Sequence, residues 1–226
     1  EKLKEKLLEL ARRELKLNST IGLSIENGYV TVKTLPERKI SIKELGKIYG
    51  DEKIESEATF TAQTIQMDNE TGLGAPYWPY TFNACAVLVE VDTITGIIEV
   101  VDCTFAQDVG KAINPKLVEG QMDGGFSMAL GYVLLEDLKV ENGRIVNNKY
   151  SKYLIPTAMD TIDIENIIVE EPESTSPYGA KGIGEPVMIP IAPAILNAIY
   201  NAIGIRFTEI PVTPEKVIKA IKENNK

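Results

Sequence analysis

Thr81-Phe-Asn-Ala-Cys-Ala-Val-Leu-Val-Glu-Val91, Asp92-Thr-Ile-Thr-Gly96 and Ile97-Ile-Glu-Val-Val-Asp-Cys-Thr-Phe-Ala106 form the stretch on which the fold turns. Two apolar, β-branched runs flank a five-residue loop that ends in glycine, which reads as an antiparallel hairpin. Cys85 and Cys103 lie symmetrically about that loop and face each other unless a bulge shifts the register. They read as buried thiols rather than a redox pair.

Working towards the N-terminus, Glu1–Leu17 has helical spacing of Leu3, Leu7, Leu10, Ala11 and Leu15, ending near Asn18. Residues 21–34 alternate around Asn27-Gly28, a two-residue hairpin signal. Ser41-Ile-Lys-Glu44 has the capping-box form and opens a short helix. Residues 57–67 are rich in threonine and read as a strand. Residues 68–80 hold glycines, prolines and aromatics and read as a loop. Tyr77, Trp78 and Tyr80 suit either a stacking surface or packing against the core.

Towards the C-terminus, Asn114-Pro115 reads as an N-cap followed by proline at the first helical position. Pro115–Gly131 then spaces Leu117, Met122, Phe126 and Leu130 helically, yet carries Gly120, Gly124 and Gly125. Each interior glycine costs about 0.5–1 kcal/mol relative to alanine, so close approach of a backbone or ligand is expected there. A second Asn-Gly hairpin sits at Asn142-Gly143, and a strand is expected over 162–171. A Pro/Gly/Ser-rich loop follows over 171–190. A helix over 191–203 stops at Gly204. A last strand is expected over 205–211, and Thr213-Pro214-Glu215 opens a final helix. Frequent hairpins without regular β-α alternation predict an α+β fold, with mixed, hairpin-rich sheets and packed helices. The expected division is 1–80 for a first subdomain and 81–226 for a second.

The chain has 226 residues, 44% of them apolar, enough for a substantial core. It contains no histidine and two cysteines. A Ser-His-Asp triad, a His-ligated metal and a four-cysteine cluster are thereby excluded from this chain alone. A net charge of −9 argues against nucleic acid or an anionic membrane as the main partner. The helical pattern that begins at Glu1 does not read as a signal peptide, and no apolar run is expected to approach the roughly 18 residues of a membrane span. Together with the cysteine usage this predicts a cytoplasmic protein.

Chemistry concentrates in Ser174-Thr-Ser-Pro-Tyr-Gly-Ala-Lys-Gly-Ile-Gly-Glu-Pro186. Gly179, Gly182 and Gly184 let main chain approach a ligand closely. Pro186 disfavours the helical region for Glu185, which would hold it on an extended turn. Partial desolvation there would raise its pKa towards that of a general base. A solvated surface turn meets the same spacing. Lys181 suits an anion partner in this loop or simple exposure. In Glu119-Gly-Gln-Met-Asp-Gly-Gly125, Gln121 lies near a helix start, where N–H groups favour anions. Glycine-mediated helix packing explains that pattern equally well. Neither a phosphate-cradling nor a dinucleotide-binding glycine signature is present.

Asp108-Val-Gly-Lys-Ala-Ile-Asn-Pro115, Glu119–Gly125 and Gly179-Ala-Lys-Gly-Ile-Gly-Glu-Pro186 occur in order, preceded by the strand pair of residues 83–106. This set resembles the C-terminal part of the molybdenum-binding subunit of the xanthine dehydrogenase/aldehyde oxidase family of molybdenum hydroxylases. The resemblance is close over the last two-thirds of the chain and loose over the first third. It implies an oxidoreductase that hydroxylates a carbon of a purine, N-heterocycle or aldehyde, with water as oxygen source. The metal would be held by the dithiolene of molybdopterin, whether or not the pterin carries a cytosine nucleotide, so no histidine ligand is needed. Glu185 would correspond to the family's general base, which deprotonates the metal-bound hydroxyl. Gln121, with Gly120 beside it, would contact the pterin. The backbone of Lys181, Gly182, Ile183 and Gly184 would lie against the cofactor.

The resemblance further implies [2Fe–2S] and FAD partners on other domains or subunits, and a small-molecule substrate. The family's molybdenum domain is much longer than this chain, so a fragment or small subunit with half a pocket is expected, unable to hold the cofactor alone. Two other functions fit the composition: a non-catalytic subunit-packing module, and an anion- or nucleotide-binding α+β domain.

Overall fold

Asn27 and Gly28 both take positive φ, 49° and 80°, and so form the tight turn that the Asn-Gly pair predicts. That turn belongs to the first of two compact units, Glu1–Ala62 and Gln63–Lys226. The computed structural model describes residues 1–50 and 54–224.

In the first unit, α1 (Lys2–Glu14) buries Leu10 and Ala11. It stops one turn short of the expected end. Lys16 enters the left-handed region at φ 49°, and the Leu17 and Lys16 amides donate back to the Arg12 and Arg13 carbonyls. This is a Schellman closure with lysine where glycine is usual, so the stop carried no glycine signal. Strands β1 (Leu23–Glu26), β2 (Tyr29–Val32) and β3 (Leu35–Ser41) form an antiparallel sheet in that order. Ser41 then caps α2 (Ile42–Ile48): its Oγ accepts from Glu44 N at 3.1 Å, and Glu44 Oε2 accepts from Ser41 N at 3.0 Å. Leu10, Ala11, Leu23, Val30 and Leu45 make this unit's core.

The threonine-rich run over 57–67 is irregular. No strand pairs with it among the described residues; its one pairing is a single bridge between Ile65 and Ala75. Threonine-rich composition alone cannot make a strand where no partner edge is offered.

The second unit is built on β4 (Asn83–Val91) and β5 (Ile98–Asp108), antiparallel, with a bulge between Leu88 and Val89. Helix α3 (Pro115–Leu130) starts at Asn114, whose Oδ1 accepts from Leu117 N at 3.3 Å, and runs on through one π-helical turn, Gly131–Leu135. A small hairpin, β6 (Val140–Glu141) and β7 (Arg144–Ile145), turns at Asn142-Gly143. Strand β8 (Glu165–Val169) joins β5 in parallel, so the sheet order is β4-β5-β8 and α3 lies on the crossover. The predicted α+β class holds, with this parallel pair added.

Helix α4 (Ile191–Ile203) ends at left-handed Gly204 as its sequence predicts. Residues 205–211 form no strand. The chain is instead tied to the π-helical turn, where Val212 N donates to Val133 O at 2.6 Å, before α5 (Pro214–Asn224). Residues 186–203 do reach the length and hydropathy of a membrane span, contrary to the sequence reading. They are a 3-10 turn (Pro186–Met188) followed by α4, which buries Ile191, Ile195 and Ile199 in a core with Val100, Cys103, Phe105, Met122 and Phe126.

Candidate functional site

The chain gathers its three motifs between the end of β5 and the body of α3, which puts Gln121 in the second turn of the helix and not at its start. Asp108 closes β5 and is almost completely buried. Its Oδ1 accepts from Gly110 N at 2.9 Å, and its Oδ2 takes Lys181 Nζ at 2.6 Å, with both side chains 7% exposed. Main chain reinforces the junction: Lys111 N donates to Gly179 O at 2.8 Å and Lys181 N to Val109 O at 2.9 Å. Gly110 sits at φ +65°, and a Cβ there would overlap the Gly179 carbonyl and stand 2.9 Å from Lys181 N. Only glycine allows this crossing. Glu170, at the end of β8, braces the same connection: its carboxylate accepts from Lys111 Nζ and Ala112 N, both at 2.8 Å. Those two bonds, the lysine's first, hold its pKa below the ordinary range.

A second group of polar side chains lies beneath. Asn83 Nδ2 donates to Pro186 O at 2.9 Å. Gln107, fully buried, donates through Nε2 to Thr81 Oγ1 at 2.9 Å and to Asp108 O at 2.8 Å, and the Thr81 hydroxyl donates to Asp108 O. Helix α3 meets the turn from the other side. A Cβ on Gly125 would stand 2.6 Å from Val187 Cγ2, so the missing side chain admits the 3-10 turn; a Cβ on Gly184 would stand 3.9 Å from Gln121 Oε1. Gln121 and Gly184 are therefore neighbours. Gly120, Gly124 and Gly182 meet nothing within 4 Å.

Between Lys181 and Pro186 the main chain is bare. Among the described residues, the amides of Gly182, Ile183, Gly184 and Glu185 donate to no acceptor. Glu185 is exposed, so the expected desolvation is absent from this chain. Nor is it extended. At φ −98° and ψ −38° it lies in the helical region, because its carbonyl accepts from Met188 N at 3.2 Å and closes the 3-10 turn, outweighing the steric preference of a residue before proline. Lys181 is committed to Asp108 and is not an exposed lysine. Tyr77 and Tyr80 are 71% and 63% exposed, so they do not pack as core.

Cys85 and Cys103 are free thiols with their sulfurs 3.7 Å apart. They pair diagonally, Cys85 opposite Phe105 and Cys103 opposite Val87. Cys103 is buried and Cys85 half-buried; their shared hydrogen bond lowers the Cys85 pKa and raises that of Cys103. An open cleft of about 570 Å³ lies on another flank of α3, lined by Glu119, Asp123, Ser127, Thr157 and Asn166. Glu185 and Gln121 do not line it. Among the described residues no group of three or more Cys, Asp or Glu is placed to hold a metal ion.

Local pattern does not single out Asp108, Asn83, Gln107 or Thr81 as individuals. For Asp108 and Gly110 the available signal is an Asp-x-Gly that closes an apolar strand. Asn83 carried none, because its partner lies 103 residues away.

Residues 1–162 match the family model described as molybdopterin cofactor-binding domain. Over 95% of its length the chain is 30% identical to the putative xanthine dehydrogenase molybdenum-binding subunit of Escherichia coli (strain K12), covering 28% of that protein. Over 69% of its length it is 35% identical to the aldehyde oxidoreductase of Megalodesulfovibrio gigas, covering 17% of that protein. The crystal structure of quinoline 2-oxidoreductase from Pseudomonas putida 86 superposes with a TM-score of 0.70 at 27% identity, covering 98% of this chain and 28% of that one. The chain thus spans less than a third of the length of these relatives.

Proposed function

Because this chain belongs to the molybdopterin cofactor-binding domain family of the molybdenum hydroxylases, we propose that it supplies the Glu185 side of a molybdenum-hydroxylase active site. The observation that supports this reading is the meeting of Gln121, in the second turn of α3, with Gly184 and the Glu185 turn, next to four bare amides. The residues fit a flat, acceptor-rich group such as a pterin. Gly120 and Gly182 carry no side chain to block approach, the Gln121 amide offers both a donor and an acceptor, and the amides of 182–185 offer donors.

When bound, the molybdenum cofactor supplies two-electron oxidation of a substrate carbon with water as the oxygen source. This chain's own part is narrower. Gln121 and the amides of Gly182, Ile183 and Gly184 bind and orient the pterin. The Lys181 side chain takes no direct part, being held by Asp108. The Glu185 carboxylate accepts a proton at the reacting centre as general base. Its exposure here leaves the desolvation that tunes such a base to the rest of the molybdenum-binding subunit. The substrate is a purine, N-heterocycle or aldehyde, and electrons leave to iron–sulfur and FAD partners of a cytoplasmic complex.

The deciding experiment is Glu185→Gln in the assembled enzyme. Turnover should fall by about 10²–10⁴-fold with cofactor content and unfolding midpoint unchanged. Near-normal turnover would leave the subunit-packing alternative, which the exposure of Glu185 favours. A molybdenum and pterin assay on the purified chain should find neither in stoichiometric amount; stoichiometric metal with activity refutes the half-site reading.

A further inference from the structure

We propose that Asp108 and Asn83 are positioning residues that pin the two ends of the Gly182–Glu185 segment. The inference rests on reading Glu185 as the base, and it assigns the means by which a glycine-rich segment presents that base in one arrangement. Gly182 and Gly184 on their own give the chain wide conformational freedom. What removes that freedom lies at the ends. At the first, Asp108 spends one carboxylate oxygen on Gly110 N and the other on Lys181 Nζ, while the Lys181 amide is tied to Val109 O. At the second, Asn83 Nδ2 takes the carbonyl of Pro186, the residue after Glu185. Asn83 Nδ2 also lies 3.4 Å from Gln107 Oε1, and Gln107 in turn donates to the Asp108 carbonyl. The two tethers therefore belong to one hydrogen-bonded group.

A buried ion pair is seldom worth more to stability than a well-packed apolar pair. At this position it does what an apolar pair would do poorly, because it fixes direction. The carboxylate sets where the lysine stem points, and so where the main chain leaves Gly179. The span between the tethers is four residues, with no internal hydrogen bond among the described residues to hold it.

The test uses the assembled enzyme with Asp108→Asn, Asn83→Ala and Glu185→Gln made side by side. Molybdenum content, kcat per molybdenum, KM and the hydrogen exchange of the cofactor-free protein are measured for each. Asp108→Asn should lower kcat per molybdenum by about 100-fold, as expected for a misplaced reacting group, with little change in KM. Asn83→Ala should lower it by about tenfold, the worth of one hydrogen bond. In the cofactor-free protein, exchange at the Lys181 and Lys111 amides should quicken at least tenfold in Asp108→Asn, about the loss of one hydrogen bond. Asp108→Glu should restore part of the rate. A merely structural role would lower the unfolding midpoint and the loaded fraction while leaving kcat per molybdenum within about twofold, and that result overturns the proposal. If Asp108→Asn does not fold, Asn83→Ala decides by the same criterion. Full turnover in Glu185→Gln would sink the reading of the base, whereas an inactive Glu185→Gln beside unaffected tether variants sinks this inference alone.

Discussion

Two loops of the second unit, Asp92–Gly96 and Gly182–Glu185, are similar in length and opposite in construction. The first satisfies itself. Asp92 Oδ1 accepts from Ile94 N at 2.8 Å and Thr95 N at 3.2 Å, and the Asp92 amide and carbonyl pair with Ile97 and Gly96. Its Gly96 presses on α5: a Cβ there would overlap the Pro214 carbonyl. The second loop satisfies nothing internally and is held at its ends, with open space at Gly182. A loop that meets its own hydrogen-bonding needs is finished as structure. One that is anchored and left bare has donors to give to something else.

The contrast can be broken by substitution. Gly96→Ala meets both a positive φ and a backbone collision, and should destabilise the chain by about 3 kcal/mol in denaturant unfolding. Gly182→Ala should change stability by less than about 0.5 kcal/mol, yet lower the pterin content of the assembled enzyme. Equal stability costs at the two glycines would erase the distinction.

Acid sharpens it further. The Asp92 carboxylate is held below its ordinary pKa, chiefly by the Ile94 amide and then by Thr95. A carboxylate depressed in the folded state contributes stability above the ordinary aspartate value, near 3.9, and loses it as pH falls through the lower folded value. Asp92→Asn should therefore flatten the acid limb of the stability profile, measured as unfolding midpoint against pH. Gly124→Ala should act in the opposite direction to Gly96→Ala. In an open helix interior it should gain about 0.5–1 kcal/mol in denaturant unfolding.

What could be read from the sequence follows the range of each interaction. The Asn27-Gly28 turn, the Ser41 capping box, the Asn114-Pro115 start and the Gly204 stop are signals carried by a few adjacent residues, and all stand in the structure as read. The runs over 57–67 and 205–211 have the composition of strands and lack a partner, which composition does not report. Strand β8 was legible, but not its parallel seat beside β5. The site divides the same way. Glycine spacing marked Gly120–Gly125 and Gly179–Glu185 as places of close approach. It was silent on Asp108, Lys181 and Asn83 as partners, since each bond joins distant positions. For Glu185, a local rule about residues before proline lost to the hydrogen bond that closes the following turn.

The Asp108–Lys181 pair has a consequence for how the Glu185 turn is specified. Its members stand 73 residues apart, with α3, a hairpin and β8 between them. Closing a loop of that length costs the chain more entropy than closing the five-residue Asp92–Gly96 turn, by an amount that grows only slowly with length. The placement of Glu185 is therefore a property of the whole intervening architecture, and no short peptide spanning residues 179–186 should reproduce it.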